Sequence, residues 1–258
     1  MVLHFDVGWL ASVFLLATRV AAATALIPVL GPVEVPGVVR IIIAVGLVTL
    51  LVAGLPTSAA VASLDSAGAL GVAMGCELLI GAAMGFGFLA AYAATQVAGR
   101  ALDTQMGFSA ASVFNPTLRA PSPIVGATLG LLAVVVFLSL DGHHLLVEAL
   151  AASVRAMPPG SVSVARSFPW DAVIAQSGVM FAFGLTLAAP VMCSLLLADI
   201  AIALFSRSVP QLNAFVLGFA VKILLGLAGL AASVRLGSAA FERLFSTTFR
   251  YWEHLAGT

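Results

Sequence analysis

From Gly68 to Val97 the chain reads GALGVAMGCELLIGAAMGFGFLAAYAATQV, an apolar stretch whose one charged residue is Glu77. A helix from Ser66 to Gln96 would be roughly 45 Å long, whereas the hydrocarbon core of a bilayer is about 30 Å thick. The stretch has no proline that could break it. It therefore predicts a membrane helix that must tilt, curve or protrude.

A second over-long stretch runs from Asp171 to Ser206 and would make a helix of roughly 54 Å. Pro190 lies inside it. Because proline removes a hydrogen bond from a helix interior, we expect two segments that fold as a hairpin. Further apolar stretches run from about Trp9 to Leu30, Val38 to Leu55, Ile124 to Leu140 and Phe215 to Val234. The alternating polarity of barrel strands is missing, so we predict an all-α membrane protein with about six long hydrophobic segments, some broken or over-long.

The composition agrees with a membrane location. Of 258 residues, 62% are hydrophobic and 9% are charged, and the net charge is zero. Soluble domains have about 25% charged residues, so lipid or other membrane subunits must cover most of this surface. The zero net charge gives no reason to expect a nucleic acid partner. The N-terminus, MVLHFDVGW, lacks the basic stretch of a signal peptide, and we expect the first segment to be retained.

The predicted organisation is a single membrane-embedded domain over residues 1–258. Residues 1–140 hold the N-terminal helices with a central loop at 98–123, residues 141–172 form a polar excursion, and residues 173–258 form a C-terminal hairpin and a tail helix. The basic residues are too evenly distributed between the two sides to orient the chain by the positive-inside rule. Cys76 and Cys193 lie in apolar stretches and are expected to be buried thiols.

Four charged residues lie within the hydrophobic segments: Arg19, Glu77, Asp199 and Lys222. Each costs at least about 2.5–3.5 kcal/mol at mid-membrane unless it has a partner, a hydrated cavity or a protein interface. They could form an ion or proton pathway, or they could pair to fix helix packing or subunit register. Pairing is favoured because four dispersed charges form no relay motif.

Small residues predict close helix packing in two ways. Gly71 and Gly75, Gly81 and Gly85, and Gly126 and Gly130 each have GxxxG spacing. In addition, Gly218 and Gly226 flank Lys222 by one helical turn on either side. Lys222 is therefore expected to bind a carboxylate in a close-packed face: Glu77, Asp199 or an acid of a partner subunit.

The best candidate for chemistry is the segment from Asp141 to His144 with Glu148 one turn later. Adjacent histidines on a helix point in different directions, so only His144 and Glu148 share a face, which is too few ligands for a zinc site. A helix start with Asp141 as N-cap is favoured over a metal site. No nucleotide-binding or GxSxG motif occurs, and we expect no enzyme activity, cofactor or metal.

The segment from Pro210 to Leu227, PQLNAFVLGFAVKILLGL, resembles the signature of the family of the flagellar export-gate protein FliR and its injectisome counterpart. Pro210, Gln211 and Asn213 match the turn of that signature. PVLGPVEVPGVVR (28–40) and GRALDTQMGFSAASVFNP (99–116) resemble other blocks of the family in order and spacing. Two modest departures are Asn115 for a usual aspartate and Ala220 for a frequent proline.

The resemblance implies a core subunit of the type III export gate in the bacterial cytoplasmic (inner) membrane, within a flagellar basal body or, less favoured, an injectisome base. It implies assembly with FliP-like and FliQ-like subunits into a closed helical channel for unfolded protein substrates, with FlhB-like and FlhA-like proteins as further partners. The rival hypotheses are a secondary transporter with the four charges around a midplane site, and a membrane hydrolase using His143, His144 and Glu148.

Two segments are expected to contact partners or the channel. By resemblance, the loop from Asp103 to Pro123 is the plug of the gate, with Gly107 and apolar side chains at Met106, Phe108, Val113 and Phe114; an interfacial loop packed on neighbouring helices is the alternative. From Leu236 onward, an amphipathic helix is predicted. Its apolar face is formed by Phe241, Leu244, Phe245, Phe249, Trp252 and Leu255. That face could lie in the lipid interface or dock on another gate subunit. Docking is favoured because the polar face of the helix carries both acidic and basic residues, whereas lipid-binding helices are rich in Lys and Arg.

Overall fold

The computed structural model describes residues 7–27, 36–54, 66–108, 123–160, 168–208, 214–236 and 238–256. Within these ranges the chain is all-helical and contains no strand, which confirms the predicted fold class. The helices are α1 (Val7–Ala25), α2 (Gly37–Gly54), α3 (Ala67–Met106), α4 (Ile124–Ser139), α5 (Gly142–Ala156), α6 (Trp170–Ser208), α7 (Ala214–Leu236) and α8 (Ser238–Ala256).

Helix α3 is even longer than its apolar stretch predicts. It has 40 residues, roughly 60 Å, and continues through Arg100 and Asp103 to Met106. The central loop expected at 98–123 therefore begins at Gly107 instead. The polar residues that suggested a loop are compatible with a helix because Thr104 Oγ1 donates to the Arg100 carbonyl, 2.9 Å away, and Asp103 binds the start of α4.

Helix α6 runs without a break through Pro190, so the expectation that this proline divides the stretch into a hairpin was wrong. The Pro190 ring is exposed, and α6 is packed on both sides of it, at Gly184 against α3 and at Val191 against α7. Packing against neighbouring helices lets long membrane helices tolerate a proline. The hairpin is instead formed by α6 and α7, whose contacts run antiparallel from Ile202 beside Gly218 to Val191 beside Gly229.

Four of the described helices are long and apolar enough to cross a membrane: α1, α2, α3 and α6. Helices α4 and α5 pass the same test only together, and they are bent by 69° relative to each other. The apolar part of α7, Val216–Ala232, is shorter. The described residues therefore contain four helices that could span a membrane, or five if the bent pair is one span.

The fold divides into two compact units. Unit 1 comprises Met1–Ala90, Phe137–Ser177 and Phe245–Thr258, and unit 2 comprises Ala91–Val136 and Gly178–Leu244. Each unit is assembled from segments that are distant in sequence. The single domain expected from the sequence stays a prediction.

In unit 1, α1 lies directly on α3. A Cβ on Gly81 would collide with the Arg19 carbonyl oxygen, and one on Gly85 would lie 2.5 Å from the Ala23 carbonyl oxygen. These two glycines are the middle GxxxG pair, and here the absence of side chains is what permits the approach. By contrast, Gly71 and Gly75 have nothing within 4 Å of the place a Cβ would occupy.

The C-terminal amphipathic helix, α8, docks on its own chain rather than on lipid or another subunit, so both expected destinations were wrong. The Trp252 indole Nε1 donates to the Met84 carbonyl at 2.8 Å, and the Tyr251 hydroxyl donates to the Ala83 carbonyl at 2.9 Å. Both rings fit there because Gly87 has no side chain. Phe245 extends the contact to the rings of Phe88 and Phe137. Burial raises the pKa of the Tyr251 phenol, so this hydroxyl stays a hydrogen-bond donor to a higher pH than that of an exposed tyrosine.

In unit 2, α3 and α4 pack antiparallel at closest backbone contact. A Cβ on Gly99 would collide with the Cα of Gly126. Gly130, the second glycine of the third GxxxG pair, faces the Tyr92 ring and the Gln96 amide, and Gln96 Nε2 also donates to the Gly126 carbonyl at 3.0 Å. The helices are thus held by both shape and a hydrogen bond.

Candidate functional site

Arg19 and Glu77 form an ion pair in the interior of unit 1. Arg19 Nε lies 2.5 Å from Glu77 Oε2, and the two side chains are 0% and 1% exposed. The other guanidinium nitrogens donate to Ser153 Oγ at 3.3 Å and to the Met157 carbonyl at 2.8 Å. The second Glu77 oxygen accepts the Gly160 N–H at 3.1 Å. The pair therefore links α1, α3, α5 and the residues after α5.

This network does not resemble a proton pathway. The Ser153 hydroxyl donates a hydrogen bond to the Leu150 carbonyl, 2.8 Å away, and the other branches end on the backbone at Met157 and Gly160. Backbone carbonyls and amides do not relay protons at neutral pH. A buried pair whose remaining donors and acceptors are satisfied is instead typical of a packing determinant.

Asp199 and Lys222 form the second ion pair, inside the α6–α7 hairpin of unit 2. Lys222 Nζ lies 2.5 Å from Asp199 Oδ1, with the lysine side chain 24% and the aspartate side chain 42% exposed. Of the acids considered for Lys222, Asp199 is thus its partner in this chain, while Glu77 binds Arg19. Each of the four intramembrane charges is paired within its own unit.

The start of the central loop is fixed to α3 by a left-handed glycine. Gly107 has φ +87°, the Gly107 N–H bonds to the Thr104 carbonyl at 3.2 Å, and the Phe108 N–H bonds to the Asp103 carbonyl at 2.9 Å. This is the Schellman arrangement that ends helices. Met106, buried and still helical, packs on Gly226 of α7.

The far end of the loop is held by Asp103. Its carboxylate oxygens accept the backbone N–H groups of Val125 at 3.1 Å and Gly126 at 3.3 Å. These are among the first N–H groups of α4, which have no partner within the helix, and a carboxylate there also complements the helix dipole. Asp103 is 5% exposed.

Asp103 was not among the site residues predicted from the sequence. Capping is recognised in a sequence when the aspartate directly precedes the helix. Asp103 instead caps a helix that begins at Ile124, which is too far along the chain for a local capping pattern. Val113, Phe114, Pro210, Gln211 and Asn213 lie outside the residues that the structure describes.

The Asp141–His144 segment differs from expectation in two ways. Asp141 occupies the N-cap position of α5 as expected, but its backbone is left-handed (φ 54°) and its side chain makes no cap hydrogen bond. The rings of His143 and His144 are not divergent, since their centroids lie 4.1 Å apart. Ligand atoms of these three exposed residues come within 4.8 Å of one another, but exposed side chains lack the buried outer partners that orient metal ligands.

The fold and the paired charges define a class: an integral membrane protein of packed helices whose described polar groups mainly bind one another. Comparison with known proteins makes the class specific. The model of the bacterial export proteins, family 1, matches residues 10–248. The chain belongs to this family, which confirms the resemblance found in its motifs.

Its relatives include flagellar and injectisome proteins. The flagellar biosynthetic protein FliR of Escherichia coli (strain K12) is 31% identical over 242 residues, 94% of this chain and 91% of the relative. FliR of Bacillus subtilis (strain 168) is 34% identical over 186 residues, 69% and 70% of the two chains. The Yop proteins translocation protein T of Yersinia pestis is 32% identical over 150 residues, 58% of each.

Proposed function

We propose that this chain is a core subunit of a type III protein-export gate in the bacterial cytoplasmic membrane. It helps to form the closed channel through which unfolded flagellar proteins leave the cell, and it acts by assembly rather than by catalysis. The observation that carries the proposal is the match to a flagellar export protein over 94% of the chain. The helical fold and the charges paired inside it support a structural role.

Flagellar export is favoured over an injectisome. The alignment with the Escherichia coli flagellar protein covers 94% of the chain, whereas that with the Yersinia pestis translocation protein covers 58%, at nearly the same identity. The proposed partners are FliP-like and FliQ-like subunits in the gate and FlhB-like and FlhA-like proteins around it.

Complementation and co-purification test this function together. A tagged copy of this chain should restore motility to a bacterial strain from which the strain's own homologous flagellar gate subunit has been deleted. The tagged chain should also co-purify with FliP-like and FliQ-like proteins in detergent. A well-folded chain that is recovered alone and restores neither motility nor injectisome secretion contradicts the proposal. Rescue of secretion without rescue of motility would instead assign the chain to an injectisome.

The central loop is proposed as the plug of this gate. The residues that flank it are held by hydrogen bonds, Gly107 in the helix cap of α3 and Val125 on the Asp103 carboxylate. Small and apolar side chains suit a closure that excludes water and ions.

Deleting residues 109–112 tests the plug and keeps the Gly107–Phe108 cap intact. The closed gate should then conduct small ions in a planar bilayer while its subunits still assemble. The matched control replaces the same four residues with Gly-Ser-Gly-Ser, which preserves loop length. Unchanged conductance in an assembled deletion variant would rule out the plug.

A further inference from the structure

A groove lies between α5 and α8 on the surface of unit 1, here the α5–α8 groove. Its volume is about 470 Å³, within the range of about 300–1,000 Å³ that is typical of small-molecule sites. Its apolar lining includes Ala149 and Ala152 of α5 and Phe249 and Trp252 of α8. The two alanines leave room beside the aromatic rings, and that room is the groove.

Three charged side chains line the same groove: Glu148 and Arg155 of α5 and Glu253 of α8. All three are exposed. Glu148 and Arg155 lie about two helical turns apart and therefore leave α5 on the same face. In the described part of the chain, no ion pair joins Arg155 to Glu148 or Glu253. The groove therefore presents one cation and two carboxylates beside an apolar lining.

The α5–α8 groove lies at the level of the end of α1. Helix α1 has 19 residues, roughly 28 Å, so as a membrane span it needs its full length and its last turn lies at the membrane–water interface. Near that end, Arg19 binds the Met157 carbonyl just after α5. Trp252 of α8 binds the α3 carbonyl next to Gly85, whose missing side chain lets the Ala23 carbonyl of α1 approach. Both walls of the groove are thus held beside the last two turns of α1.

We propose that the α5–α8 groove binds the headgroup of a zwitterionic phospholipid with a primary ammonium, of the phosphatidylethanolamine class. The lipid phosphate accepts hydrogen bonds from the planar guanidinium of Arg155. The ammonium donates to Glu148 and Glu253, and the first carbons of the lipid lie on Phe249. An anionic headgroup would satisfy Arg155 but would bring a further negative charge to two carboxylates. The site does not depend on the export function, since phospholipid surrounds any membrane protein.

A helix of another subunit is the alternative occupant of the groove. Such a helix would have to bring an acid to Arg155 and bases to the two glutamates, all at matching positions. A phosphatidylethanolamine headgroup carries both charges in one molecule and is present at the membrane–water interface. The charges of the groove and its level in the membrane therefore favour the lipid.

Lipid selectivity of the purified full-length chain tests the proposal. The chain is delipidated in detergent and incubated in turn with dioleoyl phosphatidylethanolamine, phosphatidylglycerol or phosphatidylcholine, and native mass spectrometry measures the bound fraction. Phosphatidylglycerol lacks the ammonium, and the methylated ammonium of phosphatidylcholine has no N–H to donate. We therefore expect phosphatidylethanolamine to bind about fivefold more tightly than either. Equal binding of the three lipids overturns the proposal.

Substitutions test the named groups. Arg155→Gln and the double variant E148Q/E253Q should each weaken phosphatidylethanolamine binding by about fivefold. Arg243→Gln and Glu242→Gln are the matched controls, since both residues are exposed on α8 outside the groove, and they should leave binding unchanged. The melting temperature in lipid-free detergent checks that each variant is folded. Wild-type affinity of R155Q for phosphatidylethanolamine overturns the assignment of the phosphate.

Photolabelling locates the lipid. A phosphatidylethanolamine with a photoreactive group near its glycerol is irradiated with the chain co-purified with its FliP-like and FliQ-like subunits. Labels should fall on peptides of α5 and α8. Ala152→Trp, which fills the groove, should reduce this labelling about fivefold or more, whereas Ala156→Trp, at an exposed position of α5 outside the groove, should not. Labels confined to other helices, or unchanged in A152W, show that the groove holds no lipid.

Discussion

Glu77 illustrates how strongly one buried carboxylate can determine local structure. It is 1% exposed and binds both the Arg19 guanidinium and the Gly160 N–H. In Glu77→Ala both partners lose their acceptor, and the Arg19 charge stays buried. Because removing one member of a buried pair costs about 3–5 kcal/mol, we expect the free energy of unfolding in detergent to fall by that amount.

The control for this substitution is Glu148→Ala, whose carboxylate is exposed and should contribute little. Replacing both charges, in R19L/E77L, should restore part of the lost stability, because the uncompensated charge is then gone. An E77A protein as stable as wild type would show that Arg19 finds another acceptor.

Two glycines of the same helix, α3, have different surroundings in the fold. The Cβ added by Gly99→Ala would meet the backbone of Gly126, whereas that added by Gly71→Ala meets nothing within 4 Å. We expect G99A to lower the free energy of unfolding by about 1–3 kcal/mol, as overpacking does. G71A should leave it unchanged or raise it slightly, because alanine favours the helix. Equal effects of the two substitutions in a denaturant titration would contradict the α3–α4 contact.

At the scale of residues, the sequence predicted which buried charged residues need a partner but not which residues those partners are. Four charges in apolar segments must be satisfied, and that follows from the cost of burying them. Glu77 lies 58 positions from Arg19, however, and no local pattern encodes a contact over that separation. Asp103 was missed for the same reason, since the first N–H group that it binds, that of Val125, lies 22 positions later in the chain.

At the scale of helices, Asp103 joins the end of α3 to the start of α4. Asp103→Ala removes the acceptor of two N–H groups in the first turn of α4, a loss comparable to that of an N-cap, about 0.5–2 kcal/mol. We expect faster hydrogen exchange in peptides that cover Val125 and Gly126, measured by mass spectrometry. Thr104→Val is the control, since Thr104 is exposed and bonds only within α3. Unchanged exchange in D103A would mean that α4 is held by packing alone.

Helix α8 is expected to stabilise the chain itself. Trp252→Ala removes a fully buried ring and its hydrogen bond to the Met84 carbonyl, and large-to-small changes of this kind cost about 3–5 kcal/mol. The melting temperature of the isolated chain should therefore fall, with His254→Ala, an exposed neighbour, as control. A loss of partner recovery without a loss of intrinsic stability would instead support docking on another subunit.

The sequence predicted the existence and amphipathic character of α8 but not its target. Periodicity shows that a helix has an apolar face, and many surfaces can satisfy such a face. What selects α3 is the gap at Gly87, which exposes backbone carbonyls to Tyr251 and Trp252. The error at Pro190 has a related cause, because a local cost was outweighed by helix contacts that lie far away in the sequence.

For the whole molecule, the exposed apolar side chains are the main consequence of the fold. In α2, for example, Val48 and Leu51 are buried, whereas Val38, Ile41 and Ile42 are 67%, 64% and 65% exposed. Lipid or neighbouring subunits must cover such helices. Composition alone predicted this requirement, since a chain with 9% charged residues cannot present a polar surface.

Co-expression with FliP-like and FliQ-like subunits should therefore raise the yield of folded chain several-fold, because a partner that binds only the folded state stabilises it by mass action. The measurement is the amount of monodisperse protein recovered in detergent from equal quantities of membrane. Co-expression with an unrelated membrane protein is the control. Equal yields in both cases would indicate that lipid alone covers the apolar helices.

The division of unit 1 among distant segments has a consequence for biosynthesis. Ribosomes add about 5–20 residues per second, and α8 is translated after all the helices that it covers. Until it emerges, the nascent protein lacks the Tyr251 and Trp252 rings that occupy the surface at Gly87, and Phe88 and Phe137 lack their contacts with Phe245. Ribosome stalling before α8 therefore leaves an aromatic surface open to chaperones and quality-control proteases, and docking of α8 ends that period of vulnerability.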